Sequence, residues 1–152
     1  MFPIRSSSGK VIAFTARVLP SNKYGPKYMN SPETPIYQKK NNLYGQYESR
    51  QQIRKDDLVI LCEGQTDVIA AFQAGIKNIV APLGTALTKE QLERISRLTK
   101  NILFIFDTDT AGQQALEKAF VLSQQLSLNT YATSTSPYKD IDEMLQSGSQ
   151  KM

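Results

Sequence analysis

Histidine and tryptophan are absent from the 152 residues, and cysteine occurs once, as Cys62. Without histidine the sequence holds no Ser-His-Asp type triad, no His-ligated zinc and no imidazole acid–base group. One thiol builds neither an internal disulfide nor a Cys-based zinc cluster, so no zinc is expected in this chain. No stretch approaches the ~18 apolar residues of a membrane-spanning helix. Met1-Phe2-Pro3-Ile4-Arg5 lacks the apolar region of a signal peptide. With a single unpaired thiol, the expectation is a cytoplasmic chain with no membrane partner. Any chemistry falls to carboxylates, lysines and arginines.

The residues present are 40% apolar and 21% charged, the balance of a globular chain of about one domain. The net charge of +4 hides an asymmetry. Residues 1–55 carry ten Lys/Arg against two acids, a balance of +8, and residues 56–152 carry −4. A basic arm joined to an acidic body suggests a polyanion partner beside a site that holds cations. A solvated basic face is the plainer alternative.

Composition divides the chain at the same place, into 1–55 and 56–152. The first region is rich in Pro, Ser, Asn, Tyr and Lys. One strand is expected there, Val11 to Val18, and a short helix around Gln46–Arg54. Residues 25–32 contain two prolines and are expected to be mostly loop. From Leu58 the pattern turns regular. The runs 58–62, 79–81 and 102–106 are apolar at every position, as in strands buried on both faces of a parallel sheet. Between them Val68, Ile69, Ala71, Phe72 and Ile76 share a helical face, Thr88 and Gln91 form a capping box, and Ala111 to Leu122 repeat at helical spacing. A weaker strand near Thr130–Thr133 and a short helix near Ile141–Gln146 follow. Strand centres about 20–24 residues apart mark an α/β fold, a mostly parallel sheet flanked by helices, preceded by a small basic α+β subdomain.

Ligands bind such sheets at the strand C-termini. Glu63 follows the first run directly and Asp107 the third. Asp67 opens a helix, Asp109 lies two residues after Asp107, and Asp140 and Asp142 form a later pair. Carboxylates gathered at one sheet edge repel one another, and hard oxygen donors of this kind suit Mg²⁺ or Mn²⁺. Taken singly, Asp67 and Asp109 also read as helix-start residues, worth ~0.3–1 kcal/mol through the helix dipole, and Asp140/Asp142 as turn residues. Gly64, Gly84 and Gly112 follow strands and would let backbone approach closely. Neither a P-loop nor G-x-G-x-x-G occurs.

Glu63-Gly64 after one strand and Asp107-x-Asp109 after another resemble a TOPRIM domain. Met1–Arg5, Gly9–Phe14, Arg17–Leu19, Pro26–Thr34, Leu43–Gly45, Glu63–Val68, Leu83–Thr85, Asp107–Gly112 and Lys139–Asp142 are similar to the core of DnaG-type bacterial primases. The resemblance spans essentially the whole chain, and Lys27–Thr34 is its most specific run. It implies synthesis of short RNA primers on single-stranded DNA from ribonucleoside triphosphates by metal-dependent nucleotidyl transfer. Glu63, Asp107 and Asp109 would be catalytic and, with Asp140, would bind the metal, with Asp67 and Asp142 in support. Lys27, Asn30 and Lys39 match positions that contact nucleotide phosphates or template, and Arg17 and Lys10 would extend the DNA track.

Four positions depart from the family pattern. Thr108 stands for the usual Gly, Thr110 for Arg, Lys40 for Gly and Ile141 for Pro. The resemblance also implies a zinc-binding domain, a helical end to the core and a helicase-binding region outside this sequence. The chain therefore reads as an excised or truncated portion of a bacterial or phage-associated primase. It would meet the replicative helicase only through a region absent from it. A TOPRIM-type nuclease and a non-catalytic nucleotide- or nucleic-acid-binding module are the alternative readings.

Overall fold

The computed structural model describes residues 1–18, 26 and 28–149. The basic region contains a three-stranded antiparallel sheet in the order β1-β2-β3, with β1 Phe2–Arg5, β2 Val11–Arg17 and β3 Tyr28–Asn30. Only β2 was expected. β1 contains Pro3, which cannot donate to a ladder, but it is an edge strand, where proline is tolerated. β3 adds a three-residue strand within the stretch 25–32, whose other described residues, Pro26, Ser31 and Pro32, lie in no strand or helix. Pro26 and Pro32 fall outside its ladder, so Thr15, Ala16 and Arg17 pair freely with Asn30, Met29 and Tyr28. A 3-10 turn, Lys39–Asn41, leads to α1, Gln46–Asp56, slightly longer than the helix expected.

The second sheet has four strands, all parallel, in the order β5-β4-β6-β7. These are β4 Val59–Leu61, β5 Ile79–Val80, β6 Asn101–Phe104 and β7 Asn129–Ala132. The helices are α2 Gln65–Gln73, α3 Lys89–Ile95, α4 Thr110–Gln124 and α5 Ile141–Ser149. Side chains alternate across this sheet. Val59, Leu61, Ile102 and Phe104 pack on one face with Leu92 and Ile95 of α3 and Ala119 of α4. Cys62 and Ile79 pack on the other with Val68 and Ala71 of α2 and Ile141 of α5. Helices on both faces explain why the strands read as unbroken apolar runs. The Thr88–Gln91 capping box forms at the start of α3.

The basic region is tied into this sheet. Leu43 and Ile53 lie in the α3/α4-side core, Tyr44 forms an isolated bridge with Ala81, and Ser49 Oγ donates to the Ile79 carbonyl at 2.6 Å. Gln65 Nε2 donates to Thr15 Oγ1 at 3.1 Å, joining α2 to β2. Among the described residues, no helix is long and apolar enough to cross a membrane.

Candidate active site

β4 and β6 are neighbours, with Leu61 level with Phe104, so the residues that follow their C-termini meet at one edge. Glu63 and Asp107 are joined there. The Asp107 backbone N–H donates to Glu63 Oε1 at 2.9 Å. Burial pushes the Glu63 carboxyl up from its ordinary range, opposed by that N–H, and Asp107 and Asp109 push it further up. Asp107 is also pushed up by burial, while the Lys139 ammonium, 3.4 Å from its Oδ2, pulls it down.

Asp109 stands at the N-terminus of α4, its Oδ1 accepting from the Gly112 N–H at 2.9 Å. Asp140 does the same before α5, its Oδ1 accepting from the Glu143 N–H at 2.8 Å. Each carboxylate thus spends one oxygen on a helix start and keeps the other turned to no hydrogen-bond donor among the described residues. The helix-start role is seen in both residues, and it leaves one oxygen of each available. Thr108 N–H donates to the Lys139 carbonyl at 3.2 Å, which ties the Asp107–Asp109 loop to the segment carrying Asp140.

Asp67 differs. It is 5% exposed, its Oδ2 accepts from the Gly64 N–H at 3.2 Å, and its Oδ1 accepts from the Asp142 N–H at 3.1 Å. Both oxygens are committed to backbone, so this side chain braces the edge. Burial above all, helped by the neighbouring Asp140 and Asp107 charges and opposed by the two amides, raises its pKa to about 6. Asp142 is more open and accepts from Gln146 Nε2 at 2.6 Å.

The donor set is all oxygen, partly desolvated and short of positive charge, which fits a hard divalent cation. Among the described residues, no three carboxylates converge into a ready cage for one. An apolar cleft of about 840 Å³ runs from Glu63 past Leu87 and Phe106 along α4 to Leu122.

Of the basic-region candidates, Lys27 lies outside the described residues. Arg17 reaches over the Tyr28 ring, 5.7 Å from its centroid, and Lys10 is exposed after the β1–β2 turn. Asn30 lies against the Leu83–Gly84 turn: a Cβ at Gly84 would stand 3.0 Å from Asn30 Nδ2. Lys39 sits in the 3-10 turn, its N–H donating to Glu33 Oε1 at 2.7 Å.

Three residues that the sequence marks only in part gain their partners in the fold, and the close backbone approach expected at Gly112 is found. Gln91, fully buried, donates through Nε2 to the carbonyls of Lys39 (3.0 Å) and Asn42 (2.9 Å) while its Oε1 accepts from the Thr88 N–H at 3.1 Å. Its capping role was visible, but its tie to the Lys39 turn was not. Lys139 falls in a recognised motif, yet nothing in the motif announces an ion pair with Asp107. Gly112 touches the site through its lack of a side chain. A Cβ there would overlap the Asp107 carbonyl oxygen and stand 2.8 Å from Glu63 Oε1.

The Toprim-like family model matches residues 60–145, and the model of the DNA primase catalytic core, N-terminal domain, matches residues 1–50. A DNA primase of Pseudomonas aeruginosa is 53% identical over 119 residues, which cover 78% of this chain and 18% of that protein. The crystal structure of the Aquifex aeolicus primase zinc-binding and RNA polymerase domains superposes with a TM-score of 0.90 at 36% identity, covering 98% of this chain and 37% of that one. The DnaG primase catalytic domain bound to single-stranded DNA superposes with a TM-score of 0.87 at 35% identity, covering 96% and 47%. The chain spans less than a third of the length of the curated primases it matches.

Proposed function

The chain belongs to the DnaG-type bacterial primase family, and on that premise we propose that it supplies the metal-holding part of a primase catalytic core. In this reading it serves nucleotidyl transfer: ribonucleoside triphosphates are joined into short RNA primers on a single-stranded DNA template. The observation that carries the proposal is that Glu63 and Asp107 follow neighbouring parallel strands and are bonded to one another through the Asp107 N–H, with the Asp109 and Asp140 charges near enough to act on Asp107.

Mg²⁺ or Mn²⁺ held there would neutralise phosphate charge and lower the pKa of the attacking hydroxyl. Glu63 and Asp107 hold one flank of the site, placed by adjacent strands. Asp109 and Asp140 hold the other, each offering its free oxygen. Asp67 keeps these loops in place through the Gly64 and Asp142 amides, and Asp142 supports the same turn. The +8 region supplies the polyanion track. In that track Asn30 and Lys39 face phosphates, Lys27 belongs with them by its place in the same motif, and Arg17 and Lys10 extend it. Phosphate contacts of this kind are sequence-tolerant and salt-dependent. A cytoplasmic replication role, with the helicase met through other parts of the protein, completes the reading.

The test is metal-dependent incorporation of labelled ribonucleotides on single-stranded DNA. It uses a primase core in which these residues replace a relative's matching segment. Glu63→Gln and Asp107→Asn are each expected to abolish incorporation while leaving the fold intact by circular dichroism. Unchanged synthesis in either variant refutes the site, and metal-dependent cleavage without incorporation would point to a nuclease instead.

A further inference from the structure

The Asp107 carboxylate carries a cation that the chain itself supplies. Lys139 Nζ stands 3.4 Å from Asp107 Oδ2. The Lys139 backbone is fixed on both sides: its N–H donates to Glu143 Oε2 at 2.7 Å and its carbonyl accepts from the Thr108 N–H at 3.2 Å. Thr108 lies between Asp107 and Asp109, so the Lys139 Cα is clamped to the loop that bears both acids. The ammonium end is not clamped. The Lys139 side chain is 59% exposed, while the Asp107 side chain is only 18% exposed. The pair therefore joins a fixed, half-hidden anion to a cation that can swing into solvent without disturbing the backbone.

A divalent ion held by the Asp107 carboxylate would lie close to the Lys139 ammonium, 3.4 Å from Oδ2, and like charges repel at close range. Resting on the metal-holding role of Asp107 proposed above, we propose that Lys139 is a tethered counter-ion that competes with the divalent ion for Asp107. It is a positioning residue. It holds the carboxylate in place and offsets part of the repulsion at the edge, and the ion must displace it to bind. The metal affinity of the site is then set partly by Lys139.

The test is Mn²⁺ binding by the full chain, followed by electron paramagnetic resonance of the free ion. Lys139→Met is expected to tighten Mn²⁺ binding about two- to fivefold, the scale of an exposed ion pair. Lys139→Arg keeps the charge and should bind like the parent chain. Lys77→Met makes the same charge change just before β5, at the opposite edge of the sheet, and should leave binding unchanged. Equal or weaker Mn²⁺ binding by Lys139→Met overturns the proposal and leaves the metal site standing. A parent chain that binds no Mn²⁺, or an Asp107→Asn variant that binds it unchanged, overturns the site and this proposal with it. Because Lys139 is largely exposed, its replacement spares the core, and thermal unfolding of each variant checks this.

Discussion

Replacing Gly112 by alanine sets two physical effects of opposite sign against each other. Gly112 lies in the first turn of α4. Helix propensity alone says that alanine there should stabilise the chain by ~1 kcal/mol. The surroundings say otherwise. The new methyl would overlap the Asp107 carbonyl oxygen and come within 2.8 Å of both the Asp107 carbonyl carbon and Glu63 Oε1. Two of these atoms are backbone, held by the β6–α4 connection, so they cannot rotate away. Overpacking of this kind costs roughly 1–3 kcal/mol. Pushing Glu63 off the Asp107 N–H forfeits a hydrogen bond to a charged group, about 1.5–3 kcal/mol. Against the propensity gain, the net expectation is a loss of about 2–4 kcal/mol. For a chain of 152 residues that is a fall in Tm of roughly 5–15 °C.

Thermal unfolding followed by circular dichroism measures it, with Gly148→Ala as the reference. Gly148 lies in α5 with nothing within 4 Å of the position its Cβ would take. Alanine there should leave Tm unchanged or raise it. If Gly112→Ala also raises Tm, the close approach of α4 to Asp107 and Glu63 is refuted, and with it the account of how Glu63 is placed.

Two further outcomes follow from buried polar groups. The folded state holds a proton on Asp67 up to about pH 6, whereas the ordinary value is 3.8. The unfolded chain therefore binds fewer protons in that window, and stability must fall as pH rises through it, by about 3 kcal/mol from this group. Glu63 and Asp107 are raised in the same direction. In EDTA, urea midpoints should drop from pH 4.5 to pH 6.5 and then level, and a steady rise over that range would contradict the burial assigned to Asp67. Gln91→Met keeps the volume but strands the Thr88 N–H and the Asn42 carbonyl and leaves the Lys39 carbonyl with the Asn42 N–H as its one donor among the described residues. It should cost roughly 2–4 kcal/mol in urea unfolding, and a loss under about 0.5 kcal/mol would show that the tie between α3 and the Lys39 turn carries no weight.

Much of this protein is determined by local pattern. The apolar runs at 58–62, 79–81 and 102–106 are long enough, and apolar at enough successive positions, that only strands covered on both faces bury them. The positions of Glu63 and Asp107 follow, because a residue that ends a parallel strand falls at the sheet's ligand edge. The capping box at Thr88 and the helix start at Asp109 are equally local. β1 and β3 were not legible, since Phe2–Arg5 and Tyr28–Asn30 have too few residues and too many prolines nearby to signal a strand. They exist because β2 lies between them and offers both of its edges. Tertiary structure alone decided which acids keep an oxygen free of hydrogen bonds and which has both taken. Asp67, Asp109 and Asp140 look alike in sequence. Only in the fold are both oxygens of Asp67 taken by amides, one from Gly64 beside it and one from Asp142 of α5, 75 residues further along the chain. The same holds for Lys139 on Asp107, Gln91 under the Lys39 turn and Gly112 against Glu63. Each depends on a distance between segments far apart in the chain, which hydrophobic periodicity does not encode and the packing of helices on the sheet does.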